Sequence, residues 1–216
     1  AMTGTLHIQL LGGFQLRADT GALPSPPGRS QALLAYLILQ PGRPERRERL
    51  AAAFWPDAPE ERARENLRKP LHLLRRALPD PERFLLIDDR ALGWRADAPY
   101  TLDVDDFRRA AETARTAEEL ARAAALYRGE LLPGCYDDWI APDRERLHLA
   151  CTRLLRRAIA ERLAAGDAAS ALAYAERWRT HHPDDPDASR CVGRLHRLIV
   201  ERTGADVASR AAVSPM

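Results

Sequence analysis

Residues 62–76 of this 216-residue chain hold the side chains best suited to chemistry with another molecule. Arg62, Asn66, Arg68, Lys69, His72, Arg75 and Arg76 are all hydrogen-bond donors, and at helical spacing they fall on the side and flanks opposite Leu67. Residues 60–78 contain five Arg and one Lys against three Glu, net +3, whereas the whole chain is only +2. Positive charge is therefore concentrated here and the remainder is close to neutral. Lys69 is the single lysine in a chain that otherwise uses arginine. Donors of these types reach phosphate oxygens and base edges in the major groove of DNA. An ordinary solvated helix laced with Glu and Arg pairs four residues apart would show the same composition, so the basic face alone leaves both readings open.

Positioning such a face requires a helix with a buried stripe. Ala63, Leu67, Leu71, Leu74 and Leu78 supply one, and they predict a helix from about Pro59 to Leu78. Two helices precede it. The first, from Ser30, buries Leu33, Leu34, Leu37 and Ile38 and stops at Pro41-Gly42; the second runs from Arg46 to Phe54 and ends at Trp55-Pro56. After the third, Phe84-Leu85-Leu86-Ile87 and Ala91-Leu92-Gly93-Trp94 flank Asp88-Asp89-Arg90, which predicts a β-hairpin with Arg90 at its tip. Three helices followed by a hairpin make a winged helix-turn-helix. Ahead of them, Leu6, Ile8, Leu10, Phe14 and Leu16 alternate around Gly12-Gly13 as half-buried antiparallel strands do, with a third short strand near Ala22-Leu23.

From Asp103 onward the pattern is helical and no further strand is expected. Thr116-Ala117-Glu118-Glu119 reads as a capping box for a helix closing at Gly129, and Asp138 to Ala165 as one long helix. Asp167 reads as the N-cap of the next helix, and Asp185-Pro186 as the start of a last one ending at Gly204. Gly166 and Gly204 thus stand as equivalent helix ends, at a spacing close to that of tetratricopeptide-like repeats. The expected fold is an α+β winged helix over residues 1–100, followed by an all-α tetratricopeptide-like domain over 101–216.

Several strings resemble a known family. Leu6 to Phe14, Ser30 to Leu37, Leu50 to Asp57, and Asn66-Leu67-Arg68 through Leu74 to Leu78 are similar to the antibiotic-regulatory-protein (SARP) class of bacterial activators, which begin with an OmpR-type winged helix. Leu126-Tyr127-Arg128-Gly129-Glu130-Leu131-Leu132-Pro133-Gly134 and Asp137-Asp138-Trp139 resemble the bacterial transcriptional activator domain that follows it. The resemblance implies a sequence-specific DNA-binding regulator, an activator that recruits RNA polymerase and can act as a homodimer on DNA, while the lack of a membrane span or signal-peptide pattern makes the cytoplasm its expected place. It implies that Lys69, His72 and Asn66 read bases while Arg62, Arg68, Arg75, Arg76 and Arg90 hold the backbone. The loop between the second and third helices, with Asp57, Glu60 and Glu61, corresponds to the polymerase-touching loop of OmpR-type domains; a plain connecting loop is the equal alternative. Members of this class usually continue past Gly204 into another helix pair, so the helical domain is expected to be cut short or naturally short.

Four features depart from the family pattern. Pro70 lies inside the third helix and predicts a bend, Leu73 stands where relatives carry a polar residue, Glu65 shares the basic face, and the hairpin tip is net acidic. Pro70, Leu73 and the acidic tip support an alternative function: an adaptor with a degenerate winged helix, whose helical repeats capture a protein or regulatory ligand.

Enzymatic readings find little support. There is no G-x-x-x-x-G-K-[ST] phosphate loop and no nucleophile context for a Ser, His and Asp set, so no cofactor is expected. His181-His182-Pro183-Asp184-Asp185 contains metal-ligand types, but adjacent loop residues converge poorly on one ion. Asp137, ahead of a helix, reads first as an N-cap. Cys135, Cys151 and Cys191 lack disulfide or zinc spacing and read as buried thiols, and the four tryptophans read as packing anchors. The apolar runs are too short to span a membrane, and the N-terminus lacks a signal-peptide pattern.

Overall fold

The structure, a computed structural model, describes residues 4–212, with side chains described through Gly204. The chain opens with β1 (Leu6–Gln9), β2 (Gln15–Ala18) and β3 (Gly21–Ala22). Next come α1 (Gly28–Ile38), β4 (Glu45–Arg46), α2 (Arg47–Phe54), α3 (Glu60–Ala77), β5 (Leu85–Ile87), β6 (Ala91–Trp94) and β7 (Tyr100–Leu102). The rest is helical: α4 (Asp103–Thr113), α5 (Ala117–Leu126), α6 (Ala141–Ala164), α7 (Ala168–His181) and α8 (Pro186–Ala212). An α+β winged helix is thus followed by a helical domain, as the sequence predicts. No described helix is long and apolar enough to cross a membrane.

The compact units do not follow a single cut near residue 100. One contains residues up to Asp106 together with Arg128–Leu147; the other contains Phe107–Tyr127 and the residues from His148 on. Backbone pairing explains why 128–147 belongs with the first. Leu132 N–H donates to the Leu10 carbonyl at 2.7 Å, Gly12 N–H donates to the Glu130 carbonyl at 2.9 Å, and Leu11 and Leu131 form an isolated antiparallel bridge. Arg144 then donates from Nε and Nη2 to the carbonyls of Leu131 and Leu132 at 2.9 and 2.7 Å. Further along, Trp139 stacks on Phe54, with centroids 5.7 Å apart, and meets Tyr36 edge-on at 5.1 Å. Asp137 makes no capping bond. Both its carboxylate oxygens instead accept from Arg29 Nη1, at 2.6 and 2.7 Å.

The first unit contains two sheets. In one the order is β3-β2-β1-β7, with β1 antiparallel to β2 and parallel to β7. Leu6, Ile8, Leu10 and Leu16 are buried as their alternation requires, while Phe14 is half-buried. The parallel strand β7 has no alternation long enough to read. Asp103 fixes this edge: its carboxylate accepts the N–H groups of Leu10 and Leu11, each at 2.9 Å. Burial pushes the Asp103 carboxyl above its ordinary range despite these bonds. The other sheet, β4-β6-β5, holds the wing. Its two-residue β4 is polar and was not expected.

The second unit is organised by local signals. Thr116 Oγ1 accepts from Glu119 N–H while the Glu119 carboxylate accepts from Thr116 N–H, completing the predicted capping box. Asp167 caps α7 by accepting from Ser170 N–H at 3.0 Å, just after Gly166 turns the chain at φ +77°. Three boundaries move and one helix is new. The helix opened at Thr116 ends at Leu126 rather than Gly129, α6 begins at Ala141 after a 3-10 turn at Asp138–Ile140, and α4 was not foreseen. The last helix passes through Gly204 to Ala212, so Gly204 is not an end equivalent to Gly166. A lone glycine costs a helix only about 1 kcal/mol, too little to stop one that is otherwise supported. The expectation for the side chains beyond Gly204 lies outside the described residues.

Cys151, Leu154, Leu155, Ala158 and Ile159 of α6 and Ala171, Ala175 and Trp178 of α7 are buried. Burial pushes the Cys151 thiol up to about 12. All three cysteines are free and buried. His182, 4% exposed, has its ring 3.8 Å from that of His148, and burial, followed by the nearby His148 and His181, lowers its pKa to about 4. Among the described residues no group of His, Cys, Asp or Glu is arranged to hold a metal ion.

Candidate nucleic-acid interface

The amphipathic stripe of α3 decides which side chains reach solvent. Ala63, Leu67, Pro70, Leu71, Leu74 and Ala77 are buried, so Arg62, Glu65, Arg68, Lys69, His72, Arg75 and Arg76 are exposed and Asn66 is half-buried at the edge. Pro70 does not interrupt the helix. Its missing N–H costs a backbone bond, but its ring joins the buried stripe and adds apolar contact there. Leu73 is half-buried, drawn partly toward the interior.

Four of the basic-face residues converge with one that sequence reasoning missed. Arg68, His72, Arg75 and Arg76 line an open cleft of about 400 Å³ with Arg47, Leu71 and Pro81. Arg47, the first residue of α2, also ties the wing to the helices. Its N–H donates to the Arg90 carbonyl at 2.8 Å, and its Nε donates to the Asp88 carbonyl at 3.0 Å. The sequence signal for it was slight, one arginine among Arg43, Arg46, Arg47 and Arg49. Arg75 is partly neutralised by Glu82 at 2.6 Å. Arg62 and Lys69 lie outside the cleft lining, on the exposed length of α3.

The acidic wing tip has a structural role. Asp88 Oδ1 accepts the N–H groups of Arg90 and Ala91, both at 2.7 Å, and closes the turn between β5 and β6. Those two bonds hold the Asp88 carboxyl below the usual carboxylate range. Arg90 is exposed beside it. Between α2 and α3, Asp57, Glu60 and Glu61 are all exposed, and Glu60 pairs with Arg64 at 3.2 Å. Arg64 also holds Glu48 at 2.6 Å, joining α3 to α2 and leaving Arg64 engaged within the fold.

The model of the family described as "Bacterial transcriptional activator domain" matches residues 102–192. The winged helix described above lies ahead of the matched stretch. Its fold is similar to that of Mycobacterium tuberculosis EmbR, solved in complex with a low-affinity phosphopeptide: the TM-score is 0.68 at 23% identity. The match covers 96% of this chain and 59% of that one, so the chain spans little more than half of the solved protein. Among curated proteins none matches the sequence.

Proposed function

We propose that this chain is a transcriptional regulator whose α3 enters the major groove of double-stranded DNA. The supporting observation is the exposed cationic length of α3, continued by the cleft that adds Arg47. In this reading Asn66, Lys69 and His72 face base edges, while Arg47, Arg62, Arg68, Arg75, Arg76 and the wing residue Arg90 neutralise phosphates. Residues 1–100 act as the DNA-binding part and 101–216 as the activator part. Asp57, Glu60 and Glu61 form the face offered to RNA polymerase, the protein works in the cytoplasm, and paired protomers occupy the operator.

The test is an electrophoretic binding series against the protein's own upstream DNA at rising salt. Affinity should fall steeply as counterions compete for the phosphates. Lys69→Ala should change base preference, costing on the order of 1–3 kcal/mol at the contacted position. Arg76→Ala should weaken all sequences alike. Specific binding that is absent at low salt, with the fold intact, would favour the adaptor reading instead.

A further inference from the structure

We infer that the helical unit carries a docking groove for an acidic amphipathic segment of a partner protein. The groove is open, has a volume of about 750 Å³, and runs between α6 and α8 over Trp178 of α7. Along one rim α8 places Arg190, Arg194 and Arg197 at positions i, i+4 and i+7, a stripe of about 10 Å at the helical rise. On α6, Arg156 holds its guanidinium 5.6 Å from the centre of the Trp178 ring. Four arginines stand against one lining carboxylate, Asp187, giving a net +3. Asp187 pairs with Arg190 within α8. Among the described residues neither Arg194 nor Arg197 has a salt-bridge partner, and Arg194 acts on Asp187 only at longer range, so both can turn to a partner.

The floor decides what kind of anion fits. Ile159, Leu163 and Trp178 line it, and Leu163 is 37% exposed, an apolar side chain left open in a cationic setting. A compact inorganic anion would use one or two guanidinium groups and leave the apolar surface wet. A nucleic-acid backbone would use the rim but has nothing to place on the exposed Leu163. A helix with leucines on one face and carboxylates flanking them satisfies both at once, in the manner of helix-in-groove recognition. This surface is independent of the α3 face, so its failure leaves the DNA reading untouched.

The experiment is fluorescence anisotropy on the whole chain with a labelled helical peptide of about four turns, Leu at every third or fourth position and Glu or Asp beside each. Its analogue with Lys at every acidic position is the control. The acidic peptide should bind, the lysine analogue should not, and affinity should drop as salt rises. Arg194→Glu with Arg197→Glu should weaken binding about tenfold or more, and Leu163→Ser should weaken it about threefold. If charge reversal perturbs the helical circular dichroism, Arg194→Gln with Arg197→Gln takes its place. Equal binding of the two peptides, no binding of either, or an undiminished affinity in the arginine variants would overturn the proposal. So would displacement of the peptide by duplex DNA in the Lys69→Ala, Arg76→Ala background, or self-association lost in the arginine variants without peptide binding; these would assign the groove to nucleic acid or to a second copy.

Discussion

The two compact units reach order by different means. In the first, residues far apart in sequence hold one another: Asp103 to Leu10 and Leu11, Arg29 to Asp137, and Gly12 to Glu130. In the second, much of the visible polar bonding is local, with Thr116 and Glu119 three residues apart and Asp167 and Ser170 likewise. The lesson is that a cleft made from a helix, a neighbouring helix start and a wing needs long-range ties. Arg47 can line the cleft only because the wing backbone receives it. A groove between α6 and α8, laid over α7, is built from the apolar stripes of three successive helices.

The largest test of this contrast is Gly12→Val. Gly12 has φ +75°, and a Cβ there would lie 2.7 Å from the Arg128 carbonyl oxygen. Backbone strain and the clash together should cost about 3–4 kcal/mol and separate 128–132 from Leu10–Gly12. Chemical denaturation should show the loss, and amide exchange should show it at Leu10, Leu11 and Leu132 first. Near-native stability would mean that the long-range pairing is not what holds the first unit.

Acidification tests one of the long-range contacts of the second unit, which also pairs Arg162 with Glu118: a buried histidine packed across a long sequence separation. His182 is neutral in the fold, with its pKa lowered from 6.5 to about 4, first by burial and then by His148 and His181. Because the folded pKa lies below the unfolded one, the unfolded chain takes up the proton first. Its stability is fully present above pH 6.5 and is lost as pH falls toward about 4, by up to about 3 kcal/mol. Thermal melts of the wild type and of His182→Phe over that range should diverge by this amount. Parallel pH dependences would show that His182 does not carry the effect.

The smallest effect belongs to a single cap. Thr116→Ala removes the side-chain acceptor at the start of α5 and should cost about 1 kcal/mol. The loss should appear in amide exchange at the first turn of α5 and spare the wing. A loss several times larger would mean that this cap is coupled to packing well beyond its own helix.

Local chemistry was legible in the sequence. The stripe of Ala63, Leu67, Leu71 and Leu74 located α3 and its exposed donors, Thr116 and Asp167 marked helix starts, and Asp88-Asp89-Arg90 marked the wing turn. These depend on side chains within a few residues of one another, so spacing alone encodes them. The motif around Leu131 and Trp139 was visible too, as a family signature. That it pairs with the residues just after β1 and packs on Tyr36 and Phe54 was decided by tertiary structure, because a hydrogen bond between Leu132 and Leu10 leaves no periodic trace in either segment. The same holds for β7, whose three residues acquire a strand's geometry only beside β1, and for Arg47, whose place in the cleft depends on where the wing folds back. Pro70 shows the converse: local propensity marks it as a helix breaker, but its buried ring is accommodated by the core against which α3 lies.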